Sequence, residues 1–305
     1  MNSSMKIGGV IGALCILALV PFYLEAYGLG LMIGMMSYAA MATAWSMFSG
    51  PTRYISLATV AFYGIGAYVV AVLNEDLSYP LILLVAIAIG LVMSLAVGIA
   101  TLRLAGVYFV IFSFGLAELV RQLITWYEVN ITGTLGRYIF LPLEPQHIYW
   151  MLLATTALTL LVSWMVRRSR IGMALQVIGE DEVVAAHIGI NITRIKLMLF
   201  ALSACLITLV GAIQAPRWVY VEPSIVFNPT VSFLTVIMAL LGGAHRLYGP
   251  LFGVVPLFLL FEWLSASFPN HYSIILGALF ILIVFALPKG VLEFVDNARL
   301  GRTRS

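Results

Sequence analysis

The 305-residue chain is 62% hydrophobic and only 10% Asp, Glu, Lys and Arg, with a mean hydropathy of +1.06. That is more apolar surface than one water-soluble core buries, so a soluble globular protein is excluded and the bilayer is the natural solvent. The net charge of +3 is explained by where the cations lie along the membrane segments and requires no nucleic acid.

A helix crossing the hydrocarbon needs roughly 20 apolar residues. Runs of that kind fall at 7–24, 29–48, 54–73, 79–102, 104–126, 148–166, 197–215, 230–244, 249–267 and 273–288, which predicts an all-α polytopic bundle of about ten segments. The run at 230–244 is short and Gly-terminated, so it reads either as a full span or as a half-helix re-entering the membrane. Residues 7–24 are long enough to span and no small-residue cleavage site follows them, so they are expected to stay as an anchor. Residues 1–288 then form the transmembrane domain and 289–305 a basic cytoplasmic tail. Lys and Arg favour the cytoplasmic side. Ten spans with both termini inside put all sixteen cations there except Arg121, Arg137 and Arg217, and leave Glu25, Glu75, Asp76, Glu128, Glu144 and Glu222 outside.

Within the runs, Gly8 and Gly12, then Gly90, Ser94 and Gly98, recur every four residues. This spacing lets helix backbones approach closely in lipid, and packing within one bundle is the expected use. Cys15 and Cys205 both lie in apolar runs and read as small core residues. No phosphate-binding G-x-x-x-x-G-K-[ST] loop occurs. His147, His187, His245 and His271 are scattered, with no pair at metal-ligand spacing. No nucleophile elbow or helical H-E-x-x-H is present. The chain is therefore expected to be no enzyme and to hold no cofactor or metal. Among intramembrane acids only Glu118 and Glu262 are candidates, each placed in the outer third of its run, whereas an ion-driven carrier usually sets several ionisable groups near the midplane.

The longest polar interruption is "RRSRIGMALQVIGEDEVVAAHIGINITRIK", 167–196. Ile171, Ala174, Leu175 and Ile178 recur at helical spacing and lead to a break at Gly179. Glu180 and Asp181 then open a second short helix, where acids favour the N-terminus and Asp can cap it. Ala185 and Ala186 give this helix a small-residue face, and Gly189 is its expected stop. The result is a helix–turn–helix standing on the membrane, flanked by basic strips. It suits either docking into a groove of a soluble partner or simple service as a solvated connector.

This stretch resembles the cytoplasmic coupling segment of branched-chain amino acid ABC transporter permeases of the LivM type. The match runs through Gly172, Ala174, Leu175, Ile178, Glu180, Asp181, Glu182, Ala185, Gly189, Ile190 and Lys196. "SGPTRYISLATVAFYGIGAY" from Ser49, "LRLAGVYFVIFSFGLAE" from Leu102, "GGAHRLYGPLFG" from Gly242 and "LPKGVLE" are similar to further family stretches in the same order. The resemblance implies a permease subunit of an ATP-driven importer in the bacterial inner membrane. ATP and magnesium would be used by separate ATPase subunits, beside a second homologous permease and a periplasmic solute-binding protein. It implies ATPase coupling at Glu180, Asp181, Glu182, Ala185, Ala186 and Gly189, and a solute path drawn from Gly64, Gly66, Tyr68, Tyr108, Phe109, Glu118 and Glu262.

The chain departs from the family where Pro51, Arg53 and Tyr54 replace the usual Tyr, Gly and Gln, where Ala58 and Thr59 replace Gly-His, and where His245 and Arg246 replace a Gly-Thr or Gly-Ser pair. Relatives of this type also carry urea, short amides or aromatic acids, so the solute stays open between these and branched-chain amino acids. For the glycines of the path set, close helix packing is the competing reading. For Glu118 it is an i,i+3 salt bridge with Arg121. An ion-coupled secondary transporter relying on Glu118 and Glu262 is the rival of another class, and a membrane scaffold without a path is a third.

Overall fold

The computed structural model describes residues 16–286 apart from 103, 105 and 270. The chain is almost wholly helical there: α1 (Ala26–Thr52), α2 (Thr59–Leu73), α3 (Tyr79–Thr101), α4 (Val107–Tyr127), α5 (Pro145–Arg168), α6 (Arg170–Glu180), α7 (Glu182–His187), α8 (Ile192–Gln214), α9 (Pro223–Val226), α10 (Thr230–Gly242), α11 (Gly249–Ser267) and α12 (Tyr272–Ala286). Two-residue strands β1 (Arg137–Tyr138) and β2 (Tyr220–Val221) pair antiparallel across two loops. Among the described residues, seven segments are long and apolar enough to cross a membrane. Most of the expected 7–24 run, the tail at 289–305, and the small-residue pair Gly8 and Gly12 lie outside the described residues.

Three helices make the centre. α1, α2 and α8 are the most buried, with α3, α5, α10 and α11 packed around them and α4 and α12 at the periphery. The close approach of α2 to α8 depends on paired glycines. A Cβ on Gly66 would lie 2.0 Å from the Thr208 carbonyl, and one on Gly211 would lie 2.0 Å from the Tyr63 carbonyl. The repeat in α3 serves the same purpose as expected, with Gly90 against Thr208, Ser94 buried, and Gly98 against Leu197, all facing α8.

The expected run at 54–73 needs correction. α1 continues to Thr52, helix restarts only at Thr59, and α2 has 15 residues, about 22 Å at 1.5 Å per residue and short of the roughly 30 Å hydrocarbon core. The interruption starts at Arg53, whose φ of 59° is the one positive value on a non-glycine residue among those described. Non-helical backbone inside a membrane bundle is tolerated only when its polar groups are satisfied by protein, and side chains of three helices bond to it here. Trp45 Nε1 donates to the Ser56 carbonyl at 2.8 Å, Ser113 Oγ accepts from the Leu57 N–H at 2.9 Å, and Ser232 Oγ accepts from the Val60 N–H at 2.9 Å while donating to the Leu57 carbonyl at 2.8 Å. The broken element is thus held by α1, α4 and α10 together. At 230–244 the helix proper covers Thr230–Gly242, and with the preceding turn it forms the spanning candidate Pro223–Gly242.

Candidate functional site

The polar interruption folds as α6 and α7 at one end of the bundle. Ser169 caps α6, its Oγ accepting from the Gly172 N–H at 3.4 Å. Asp181 caps α7, its Oδ1 accepting from the Val183 and Val184 N–H groups at 2.7 and 3.3 Å. Gly189, at φ +84°, follows the end of α7, and its N–H and that of Ile190 donate back to the Ala186 and Ala185 carbonyls. Asp181 and Gly189 are the N- and C-terminal devices the sequence predicted, and the Ser169 cap is an addition to them.

The break itself falls two residues later than expected. Gly179 remains helical and Glu180 ends α6, with the chain turning at Asp181. The role of Gly179 is contact. A Cβ there would sit 1.9 Å from the Pro51 carbonyl, so only glycine lets α6 rest on the end of α1.

Glu182 points inward. Its Oε1 accepts from Tyr54 Oη at 2.8 Å and from the ammonium of Lys196, which is 1% exposed. The ammonium also stands 3.9 Å from the centroid of the Tyr54 ring, close enough for a cation–π attraction. Tyr54 in turn meets Phe109 edge-on at 5.1 Å. One ion pair therefore joins α7, α8 and the 53–58 linker, and an aromatic contact extends it to α4.

The other residues of the segment divide by exposure. Ala185 is fully buried, so no exposed Ala185–Ala186 face exists, whereas Glu180, Asp181, Ala186 and Gly189 face outward. The exposed large apolar side chains here are Met173 on α6, at 60%, and Val183, Val184 and Ile188 at α7, at 64%, 51% and 63%. The basic strips are also partly committed. Lys196 is buried, Arg168 stacks on Trp164 at 4.4 Å, and Arg167 donates to the His245 carbonyl at 2.6 Å, tying α5 to the α10–α11 loop. A cavity of about 130 Å³ lies beneath α6, lined by Met47, Pro51, Arg167, Leu175, Gln176 and His245 among others.

The residues expected along a solute path are not gathered in one place. Gly64 is covered by the Phe227 ring and Gly66 by the α8 backbone, which is the packing alternative. Phe109 is fully buried against Phe48 and Tyr54, while its neighbour Tyr108 is 75% exposed. Tyr68 is buried beside Glu128 and Arg137. Glu128 is 0% exposed, with Oε1 accepting from Arg137 Nε at 2.9 Å and Oε2 accepting from Thr132 Oγ1 at 2.9 Å. Glu118 forms a bidentate ion pair with Arg121 and accepts from Gln122 Nε2 at 2.9 Å; it stands near the middle of α4, not in its outer third. Glu262 has Arg217 as an electrostatic neighbour, across from the far end of α8. Sequence reading missed Tyr54 as the partner of Glu182, and the buried hydroxyl group of Ser49, Ser56, Thr59 and Ser203 between α1, α2 and α8.

The family of the branched-chain amino acid transport system permease component matches residues 27–284, nearly all that is described. The chain belongs to this family. Among relatives of this permease, the high-affinity branched-chain amino acid transport system permease protein LivM of Salmonella typhimurium is 27% identical over 92% of this chain and 73% of its own. BraD of Pseudomonas aeruginosa, a permease protein of a high-affinity branched-chain amino acid transport system, is 24% identical over 88% of this chain and 95% of its own. LivH of Escherichia coli, of the same system description as LivM, is 29% identical over 48% of this permease and 47% of its own. No solved structure matches significantly. The family and the seven apolar helices make the protein a multi-pass membrane permease.

Proposed function

We propose that this chain is a transmembrane subunit of an ATP-driven importer that carries branched-chain amino acids from periplasm to cytoplasm across the bacterial inner membrane. The family match over residues 27–284 carries the reading. The bundle ends support its orientation in the membrane. Arg53, Arg167, Arg168, Arg170, Arg194, Lys196 and Arg246 belong to the end bearing α6 and α7, and Arg137 and Arg217 to the other, as positive-inside sorting requires of an α6–α7 end in the cytoplasm. With about ten spans, both termini share that side.

The α6–α7 segment is the proposed coupling element. Its exposed face offers Val183, Val184, Ala186 and Ile188 with Glu180 and Asp181 at the margin, an apolar centre with a charged rim, which suits insertion into a cleft of an ATPase subunit. ATP and its magnesium belong to that subunit, and none of their binding is assigned to this chain. A second homologous permease and a periplasmic binding protein complete the assembly; a relationship to both LivM and LivH supports the pair. Glu118 and Glu262 each have a cation beside them, which weighs against free carboxylates for ion coupling.

Uptake of labelled leucine tests this, in cells lacking the chain and in cells with it restored. Restoration is expected to return uptake that survives an ionophore while ATP is maintained. Uptake that collapses with the ion gradient alone, at normal ATP, overturns the reading, and competition by urea, short amides or aromatic acids in place of leucine reassigns the solute.

A further inference from the structure

Helix α4 is divided lengthwise. At 3.6 residues per turn, Ser113, Ala117 and Val120 lie on the side buried against the bundle. One exposed flank is apolar: Phe112, Leu119, Leu123 and Trp126 are 42%, 55%, 58% and 59% exposed. From Gly115 onward the other carries Glu118, Arg121, Gln122 and Thr125, while toward the N-terminal end the same side carries the exposed Ile111 and Phe114. Gly115 has open space where a Cβ would be, and the Glu118–Arg121 pair keeps side-chain exposures of 38% and 30% near the middle of the helix. A half-exposed ion pair at that depth is costly against hydrocarbon, whereas the apolar flank suits it. The two flanks therefore face different media.

We propose that the Glu118–Arg121 flank of α4 lines a water-filled solute path closed by the second permease subunit, and that this ion pair is the subsite for the ammonium and carboxylate of a zwitterionic amino acid. Glu118 supplies carboxylate oxygens for the ammonium. Arg121 uses Nε and one Nη toward Glu118, which leaves donors of its fork for a carboxylate. Gln122, already donating to Glu118, fixes the orientation of that carboxylate. The inference rests on the permease reading above for the solute, but not for the presence of water.

The test has two arms in the assembled complex in native membranes, with Cys15 and Cys205 replaced by serine. Gln122→Cys and Thr125→Cys are expected to react with a charged, membrane-impermeant thiol reagent at least about tenfold faster than Leu119→Cys and Leu123→Cys, because only a hydrated thiol ionises readily. Equal rates on both flanks, or no reaction on the polar one, overturn the water-filled path whatever the solute. In the second arm, Arg121→Gln and Glu118→Gln are each expected to raise the KM for amino-acid uptake about tenfold, the scale of a charged hydrogen bond, in complexes that still assemble. The exchange Glu118→Arg with Arg121→Glu keeps the helix ion pair but reverses its polarity along α4. If it restores wild-type KM, the pair is structural and the subsite is refuted; a raised KM with restored thermal stability supports it. Labelled flanks beside a wild type that takes up no amino acid would reject the solute reading alone.

Discussion

Lys196 shows how much one side chain can commit a surface helix. Its ammonium is almost fully buried and is balanced by Glu182, which is itself 39% exposed at the side chain. Removing one member of a buried pair leaves an uncompensated charge, at a cost of about 3–5 kcal/mol. Glu182→Ala is therefore expected to lower the thermal stability of the purified permease far more than Lys196→Met, since in the latter the surviving carboxylate can reach water. Equal losses in a melting experiment in detergent would show that the pair does not act as described. Arg53 gives the opposite case. Arg53 takes the left-handed φ of 59°, which costs a side-chain-bearing residue about 1–2 kcal/mol. Arg53→Gly should stabilise by about 1 kcal/mol, read as a raised melting temperature.

The elements were legible to different depths for physical reasons. Asp181 and Gly189 act through their own backbone within three residues, so sequence spacing reveals them. Glu182 and Lys196 are 14 apart, with Tyr54 a further 128 residues away, and no local pattern can join them. Tyr108 and Phe109 are adjacent, yet a step of about 100° along a helix separates a 75% exposed ring from a buried one, a choice that depends on where α4 packs. The apolar run at 54–73 gave no sign that helix begins only at Thr59, because Ile55, Leu57 and Val60 continue the hydropathy while the backbone bonds are taken by Ser113 and Ser232 from distant helices. Gly179 read as a breaker from propensity; its backbone contact with Pro51 decides otherwise. Gly179→Ala is accordingly expected to destabilise by about 1–3 kcal/mol, the usual range for overpacking, although alanine favours helix. A neutral or stabilising result would mean that α6 is not seated on α1.

At the scale of the whole molecule, the arrangement connects an exposed helix to a buried core by short, polar links. α7 reaches α8 and the 53–58 linker through Glu182, α6 reaches α1 through Gly179, and Arg167 reaches the α10–α11 loop. Force applied at Val183, Val184 and Ile188 would arrive at three of the elements that surround α2, itself held by hydrogen bonds that α4 and α10 supply. Under the function proposed above, a permease that follows an ATPase without hydrolysing ATP needs such a connection, and the exposed apolar side chains at α7 would be its accessible end. The most direct measurement is the purification of tagged permease from its host in mild detergent, with mass spectrometry of the proteins retained, for wild type and for Val184→Asp. The account predicts an ATPase subunit bound to the wild type and lost from Val184→Asp while the second permease is kept. An ATPase absent from the wild type, or held equally by the variant, would contradict it.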